Sequence, residues 1–294
     1  MDPARVVVLQ LDPADPPGRL ADWLTAGGVD VGVCDLTCGA QVPDDLSAYG
    51  GIVVLGGPMS AHDDAQYPFL ADVRNLLRAA VRDEIPTLAI CLGAQLLAVA
   101  TGGRVEPNPE GPELGAQLIA KRAAAATDPL FGPMPITPDV IQWHYDTVSV
   151  LPPAAVHLAT SPSCANQAFR IGRLAWGIQF HIESNQPVVE GWARADVQRL
   201  NGFDLELIVS RAAAVQADVE EVWAPFVNAF AAVVRDPGAV PAPRGVRTST
   251  AAPVTDPAAI RAALAAEAGA SRTSSQGLGL PTLRPPTAGR SPGD

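Results

Sequence analysis

Three separated stretches of this 294-residue chain hold residues whose types and spacing could do chemistry together. Cys91 stands between an apolar run, residues 86–90, and a small, helix-forming run, residues 92–100. That pattern predicts a buried strand breaking sharply into a helix, with the cysteine at the corner. Gly93 and Ala89 keep bulk away from the crossing. At a helix N-terminus, unpaired N–H groups and the macrodipole favour a thiolate, the nucleophilic form of cysteine. Taken alone, such a cysteine reads first as a small buried hydrophobe, and only a base supplied elsewhere in the chain reverses that.

A cysteine nucleophile needs a base within hydrogen-bond reach and a third group that orients the base. His181 ends the apolar run Trp176-Gly177-Ile178-Gln179-Phe180, and Glu183 follows two residues later. In an extended chain both side chains leave the same face. The carboxylate can then hold one imidazole nitrogen while the other faces the thiol, a workable Cys-His-Glu triad. Acyl transfer also needs donors aimed at a developing oxyanion. The residue after an elbow nucleophile supplies one backbone N–H, here Leu92. Gly56-Gly57-Pro58 ends another apolar run, and because Pro58 has no N–H, Gly57 is the expected second donor. The bland alternatives are a strand-end histidine and a plain glycine turn.

The elements around these residues alternate. Residues 5–11, 29–36, 49–58 and 86–91 read as strands, and 20–24 and 68–82 as helices. The expectation is an α/β fold, a mainly parallel central sheet with helices on both faces, its reactive groups at the carboxyl ends of the strands. From 103 to 180 the segments shorten: 113–119, 140–150, 156–161, 166–171 and 174–180 read as strands, some of them antiparallel. Helices near 186–200 and over 205–235 close a catalytic body spanning 1–235. Residues 236–294 contain no aromatic residue and are dominated by Pro, Gly, Ser, Thr and Ala. They are expected to be a low-complexity, disordered tail, save for a short helix around 258–268.

Composition narrows the class. The net charge of -11 and the lack of a basic stripe exclude a nucleic-acid surface. No apolar run approaches the ~18 residues of a membrane span, and residues 1–5 lack a secretory pattern, so a cytoplasmic protein is expected. The four cysteines, Cys34, Cys38, Cys91 and Cys164, form neither a disulfide framework nor a metal site by spacing. No metal and no cofactor is expected. Lys121 is the only lysine beside nineteen arginines, which points to coding bias and not to a function.

Gly56-Gly57-Pro58, Cys91-Leu92-Gly93-Ala94-Gln95, Trp143-His144-Tyr145-Asp146-Thr147-Val148 and Gln179-Phe180-His181-Ile182-Glu183 resemble, in order and spacing, the class I glutamine amidotransferase domain. The match covers about residues 5–200 and is similar to the stand-alone branch near the glutaminase domain of GMP synthase. The resemblance implies a flavodoxin-like sheet, Cys91 as nucleophile, His181 as base and acid, and Glu183 as orienter. It also implies Gln95, His144, Tyr145 and Asp146 as substrate-binding positions. The implied reaction cleaves the side-chain amide of L-glutamine through a γ-glutamyl thioester, the ammonia passing to a separate synthase subunit. With no phosphate-binding loop in the sequence, a γ-glutamyl peptidase stays open, as does an inactive binding module. Two departures stand out: Ala89 where the family often has glycine, and Ile182 where it often has proline. The second is expected to loosen the pairing of His181 with Glu183.

Overall fold

Val6, Val7, Val8 and Leu9 are all buried, and alternate side chains enter different cores, Val6 and Val8 on one face, Val7 and Leu9 on the other. A strand covered on both faces reads as a continuous apolar run for this reason. A computed structural model describes residues 4–153 and 155–241, all within one compact unit, Met1–Pro243. Residues 242–294, which hold most of the expected tail and its short helix, lie outside the described residues.

In chain order the strands are β1 (Arg5–Gln10), β2 (Asp30–Asp35), β3 (Gly51–Val54), β4 (Thr87–Ile90), β5 (Arg104–Pro107), β6 (Glu113–Leu118), β7 (Ala120–Lys121), β8 (Asp139–His144), β9 (Asp146–Val150), β10 (Ala155–Thr160), β11 (Ala168–Ile171) and β12 (Ala175–Ile178). The helices are α1 (Gly18–Ala26), α2 (Phe69–Arg82), α3 (Leu92–Ala100), α4 (Gln186–Ala195), α5 (Leu205–Ala214) and α6 (Gln216–Arg235). The main sheet runs β2-β1-β3-β4-β12-β11-β10-β7. Its first five strands are parallel and the last three antiparallel. β5 pairs with β9 and β6 with β8 in two small antiparallel ladders.

Helices cover both faces. Leu20 and Leu24 of α1 join Trp223, Phe226 and Phe230 of α6 against one side. Leu70, Val73 and Leu77 of α2 join Leu96 and Leu97 of α3 against the other. Each fully buried side chain of this size contributes roughly 1.5–3 kcal/mol. Trp223 is fully buried beside Phe131 and Phe180, and its indole N–H donates to the Asp139 carbonyl at 2.9 Å. No helix among the described residues is long and apolar enough to cross a membrane.

Three elements differ from expectation. The single strand foreseen over 140–150 is two, because the chain changes partner at Tyr145: His144 pairs with Glu113, whereas Asp146 pairs with Pro107. The helix foreseen over 205–235 breaks at Val215. Its two halves pack on different surfaces, α5 with α4 and β8, α6 with the sheet, so one apolar rhythm serves two cores. The helix foreseen over 186–200 ends at Ala195, and 196–200 are turns. β5 and β7 carried no separate sequence signal.

Candidate active site

β4 delivers Cys91 to the carboxyl end of the sheet, where it caps α3 with φ 50 and ψ -111. A non-glycine residue at positive φ costs on the order of 1–3 kcal/mol and persists only where its surroundings over-determine it. Here the Cys91 N–H donates to the Ile178 carbonyl at 2.8 Å, and the Gly93 N–H donates to the Leu55 carbonyl at 3.2 Å. A Cβ on Gly93 would lie 2.3 Å from the Val54 carbonyl oxygen. Only glycine lets α3 start this close to β3.

β12, hydrogen-bonded beside β4, delivers the other two groups. The His181 N–H donates to the Ile141 carbonyl at 2.8 Å, which ties the end of β12 to β8. The His181 Nδ1 lies 2.6 Å from Glu183 Oε1, and both residues are buried. A carboxylate has no proton to give, so Nδ1 donates and Nε2 is left to face the cavity. Burial opposes charging the ring, but the charges of Glu183 and Cys91, with the hydrogen bond that Nδ1 gives to Glu183, outweigh it and hold the His181 proton well above the ordinary histidine value. The indole of Trp192 lies against the ring at 4.6 Å between centroids. The departure at Ile182 tightens the pair and does not loosen it. The Ile182 N–H donates to Glu183 Oε2 at 2.9 Å, a bond that proline at this position could not make.

Cys91 and His181 share the wall of a cavity of about 380 Å³. Gly57, Gln95, His144, Tyr145 and Asp146 also line it. A Cβ on Gly57 would meet the Leu92 side chain at 3.2 Å; Gly57 lines the cavity, whereas Leu92 is buried and is not one of its lining residues. Leu92 is the first residue of α3, a position whose N–H has no acceptor within the helix.

Comparison with known proteins gives this geometry a family. The family model for "Glutamine amidotransferase class-I" matches residues 19–188, more than half of the chain. The chain belongs to the class-I glutamine amidotransferase family. It is 28% identical to a glutamine amidotransferase of Thermotoga maritima, with a TM-score of 0.70 over 79% of this chain and 99% of that one. A glutamine amidotransferase of Methylobacillus flagellatus is also 28% identical, with a TM-score of 0.64 over 78% and 95% of the two chains. The GMP synthase [glutamine-hydrolyzing] of Christiangramia forsetii is 33% identical over 152 residues, 51% of this chain but 28% of that enzyme. The match thus spans little more than a quarter of such synthases.

Within this class-I amidotransferase domain, the segment from His144 to Asp146 is held from behind. His144 is buried and uses both ring nitrogens inside the protein, Nε2 with Glu113 Oε2 at 2.9 Å and Nδ1 with the Asp146 carbonyl at 2.9 Å. Glu113 also accepts from Ser161 Oγ at 2.7 Å and from Gln167 Nε2 at 2.6 Å. Gln95 Nε2 donates to the Asp146 carbonyl at 3.1 Å and to Gln179 Oε1 at 3.2 Å. The Tyr145 hydroxyl donates to Asp196 Oδ2 at 2.9 Å, and Arg199 stacks on its ring at 3.3 Å. Burial first, then the bond to Asp196, pushes the Tyr145 hydroxyl well up, so it remains a donor.

Several cavity residues had no signal in the sequence. Trp192, Asp196 and Arg199 come from α4 and the turns after it, and Asp15 comes from the loop after β1. Gln179 stood inside a quoted motif, and its Nε2 donates to Cys91 Sγ at 3.7 Å. Cys164, the other buried cysteine, is in a different state: burial pushes its thiol up to about 11, and its sulfur lies 2.9 Å from Thr147 Oγ1. It packs behind the His144 segment as a structural thiol.

Proposed function

We propose that this domain hydrolyses the side-chain amide of L-glutamine, giving glutamate and ammonia, and that the ammonia goes to an acceptor on another chain. The observation that carries the reading is a buried imidazole bonded to Glu183 that shares the wall of one cavity with Cys91. The sulfur of Cys91 adds to the γ-carbonyl carbon, and the thiol proton resides on His181. The N–H groups of Leu92 and Gly57 take the oxyanion. Such donors are worth roughly 3–4 kcal/mol each. The tetrahedral species collapses as His181 protonates the departing nitrogen, leaving ammonia and a γ-glutamyl thioester on Cys91. Water then adds to the thioester with His181 as base, and glutamate and free thiol are released. Glu183 keeps the ring in the tautomer and orientation that both half-reactions use. Gln95, by fixing the Asp146 carbonyl, shapes the end of the cavity offered to the amino-acid head of the substrate.

Cys91→Ala should lower glutamate release from glutamine by at least a thousandfold while leaving the thermal melt within a few degrees. Equal rates in variant and wild type would overturn the assignment. Failure of a glutamine-analogue alkylator to label Cys91 in wild type would favour a domain that keeps the fold without the reaction.

A further inference from the structure

Asp15 has the least accounted-for side chain in the cavity wall. It is 6% exposed, lines the cavity, and no hydrogen bond reaches its carboxyl among the described residues. A buried carboxyl without a partner costs stability and is retained where a ligand completes it. Its position is specific. One oxygen of Asp15, one of Glu183 and one ring nitrogen of His181 lie within 4.8 Å of one another. A Cβ built on Gly56 would lie 2.9 Å from His181 Cε1 and 3.2 Å from Asp15 Oδ1. The carboxyl and the ring edge therefore flank the same glycine, and only a residue without a side chain leaves them room. The loop is pinned from behind as well, because the Trp192 indole N–H donates to the Ala14 carbonyl at 3.0 Å while its ring packs on His181.

His181 must protonate the departing nitrogen, so that nitrogen passes within hydrogen-bond reach of the ring nitrogen facing the cavity. Asp15 borders the ring at Cε1, the carbon between its two nitrogens, across Gly56. The lining also contains Asp12, Asp63, Asp146 and Asp196, and among the described residues Arg199 is its one Lys or Arg. We propose that Asp15 forms a leaving-group subsite that accepts the N–H groups of departing ammonia or of a positively charged amine, and that it selects against γ-glutamyl compounds whose leaving group ends in a carboxylate. This rests on the γ-glutamyl hydrolase reading above and names its substrate class. It sets γ-glutamyl amides of ammonia and cationic amines ahead of γ-glutamyl peptides.

The groups facing the Asp15 carboxyl are His181 and Glu183 at the end of β12 and Asp12 in its own loop. Burial, against the charge of His181 and with those of Glu183 and Asp12, raises it to about 7. A cationic leaving group should therefore be preferred more strongly at pH 8 than at pH 6, where the carboxyl is protonated.

The test compares kcat/KM for L-glutamine, γ-glutamylglycine and the mono-γ-glutamyl amide of 1,4-diaminobutane, in wild type and in Asp15→Asn. The expected result is a diamine-to-glycine ratio well above one in wild type, rising from pH 6 to pH 8. Asp15→Asn should lower that ratio at least threefold and flatten its pH dependence. A ratio at or below one, or one that Asp15→Asn leaves intact, overturns the subsite. An equal loss on all three compounds also overturns it, because that marks a merely structural role. If wild type releases glutamate from none of the three, the hydrolase reading fails. The subsite is then read from equilibrium binding of the same compounds to Cys91→Ala, with and without Asp15→Asn. The same preference supports it, and no preference overturns it.

Discussion

Among single residues, Asp15 and Ile182 depart furthest from what motif spacing conveys. Ile182 occupies a place where a proline would rigidify the chain, and its N–H instead bonds Glu183. One kind of restraint replaces another, so His181 and Glu183 stay paired. Asp15 has the opposite character, since its burial opposes folding once it ionises. Its carboxyl goes from 3.8 in the unfolded chain to about 7 in the folded one. The folded state thus holds the proton more tightly, so the associated stability is present at low pH and is lost as pH rises through about 7. Three pKa units correspond to about 4 kcal/mol. Asp15→Asn, which carries no charge at any pH, should therefore stabilise the protein more at pH 8 than at pH 4, by about 3–4 kcal/mol. Urea unfolding at the two pH values checks this, and the same gain at both would refute it. Cys91, His181 and Glu183 could be read from the sequence because each sits where a strand pattern stops, and His181 and Glu183 are local to each other. Asp15 could not, because the loop after β1 meets the end of β12 only through the sheet order.

Between elements, what the sequence conveyed depended on whether its rhythm was served by one surface. β1 and β3 each lie in a single sheet, and their apolar runs marked them. The run 140–150 marked a strand but not its change of partner at Tyr145, since both halves alternate alike. That change of partner bends the chain into the cavity wall, and Glu113 holds the bend. Glu113 lies opposite His144 in the β6–β8 ladder and accepts from His144, Ser161 and Gln167. Three buried donors converge on one side chain; in Glu113→Ala Ser161 keeps the Cys164 carbonyl and Gln167 keeps Ser161 Oγ, while His144 Nε2 loses its acceptor. Leaving a buried donor without its acceptor costs about 1–3 kcal/mol. Urea unfolding should show that loss, and KM for glutamine should rise more than kcat falls, since the segment shapes the cavity and not the thiol. A loss below about 1 kcal/mol would mean that the network relaxes around the gap.

For the molecule as a whole, the open matter is where the folded chain stops. Composition shifts at residue 236, where α6 has just ended at Arg235. Packing continues a little further. The Arg173 guanidinium donates to the carbonyls of Pro237 and Val240 while it pairs with Glu84 at 2.8 Å, and Val240 is 5% exposed. Residues 237–240 thus fasten the end of α6 to the turn between β11 and β12, the strand that leads to His181. We propose that the catalytic body ends near residue 241 and that residues beyond it are dispensable for glutamine hydrolysis. A chain cut after Pro241 should keep the unfolding midpoint and the rate of glutamate release of the full chain. A chain cut after Arg235 loses the two hydrogen bonds from Arg173 and the burial of Val240, the latter about 1.5–3 kcal/mol. Its midpoint should fall accordingly, and its kcat should fall less than its stability, because the loss is remote from Cys91. Equal stability in the two truncated chains would place the end of the body at Arg235, and a loss of activity on cutting after Pro241 would give residues 242–294 a part in the reaction.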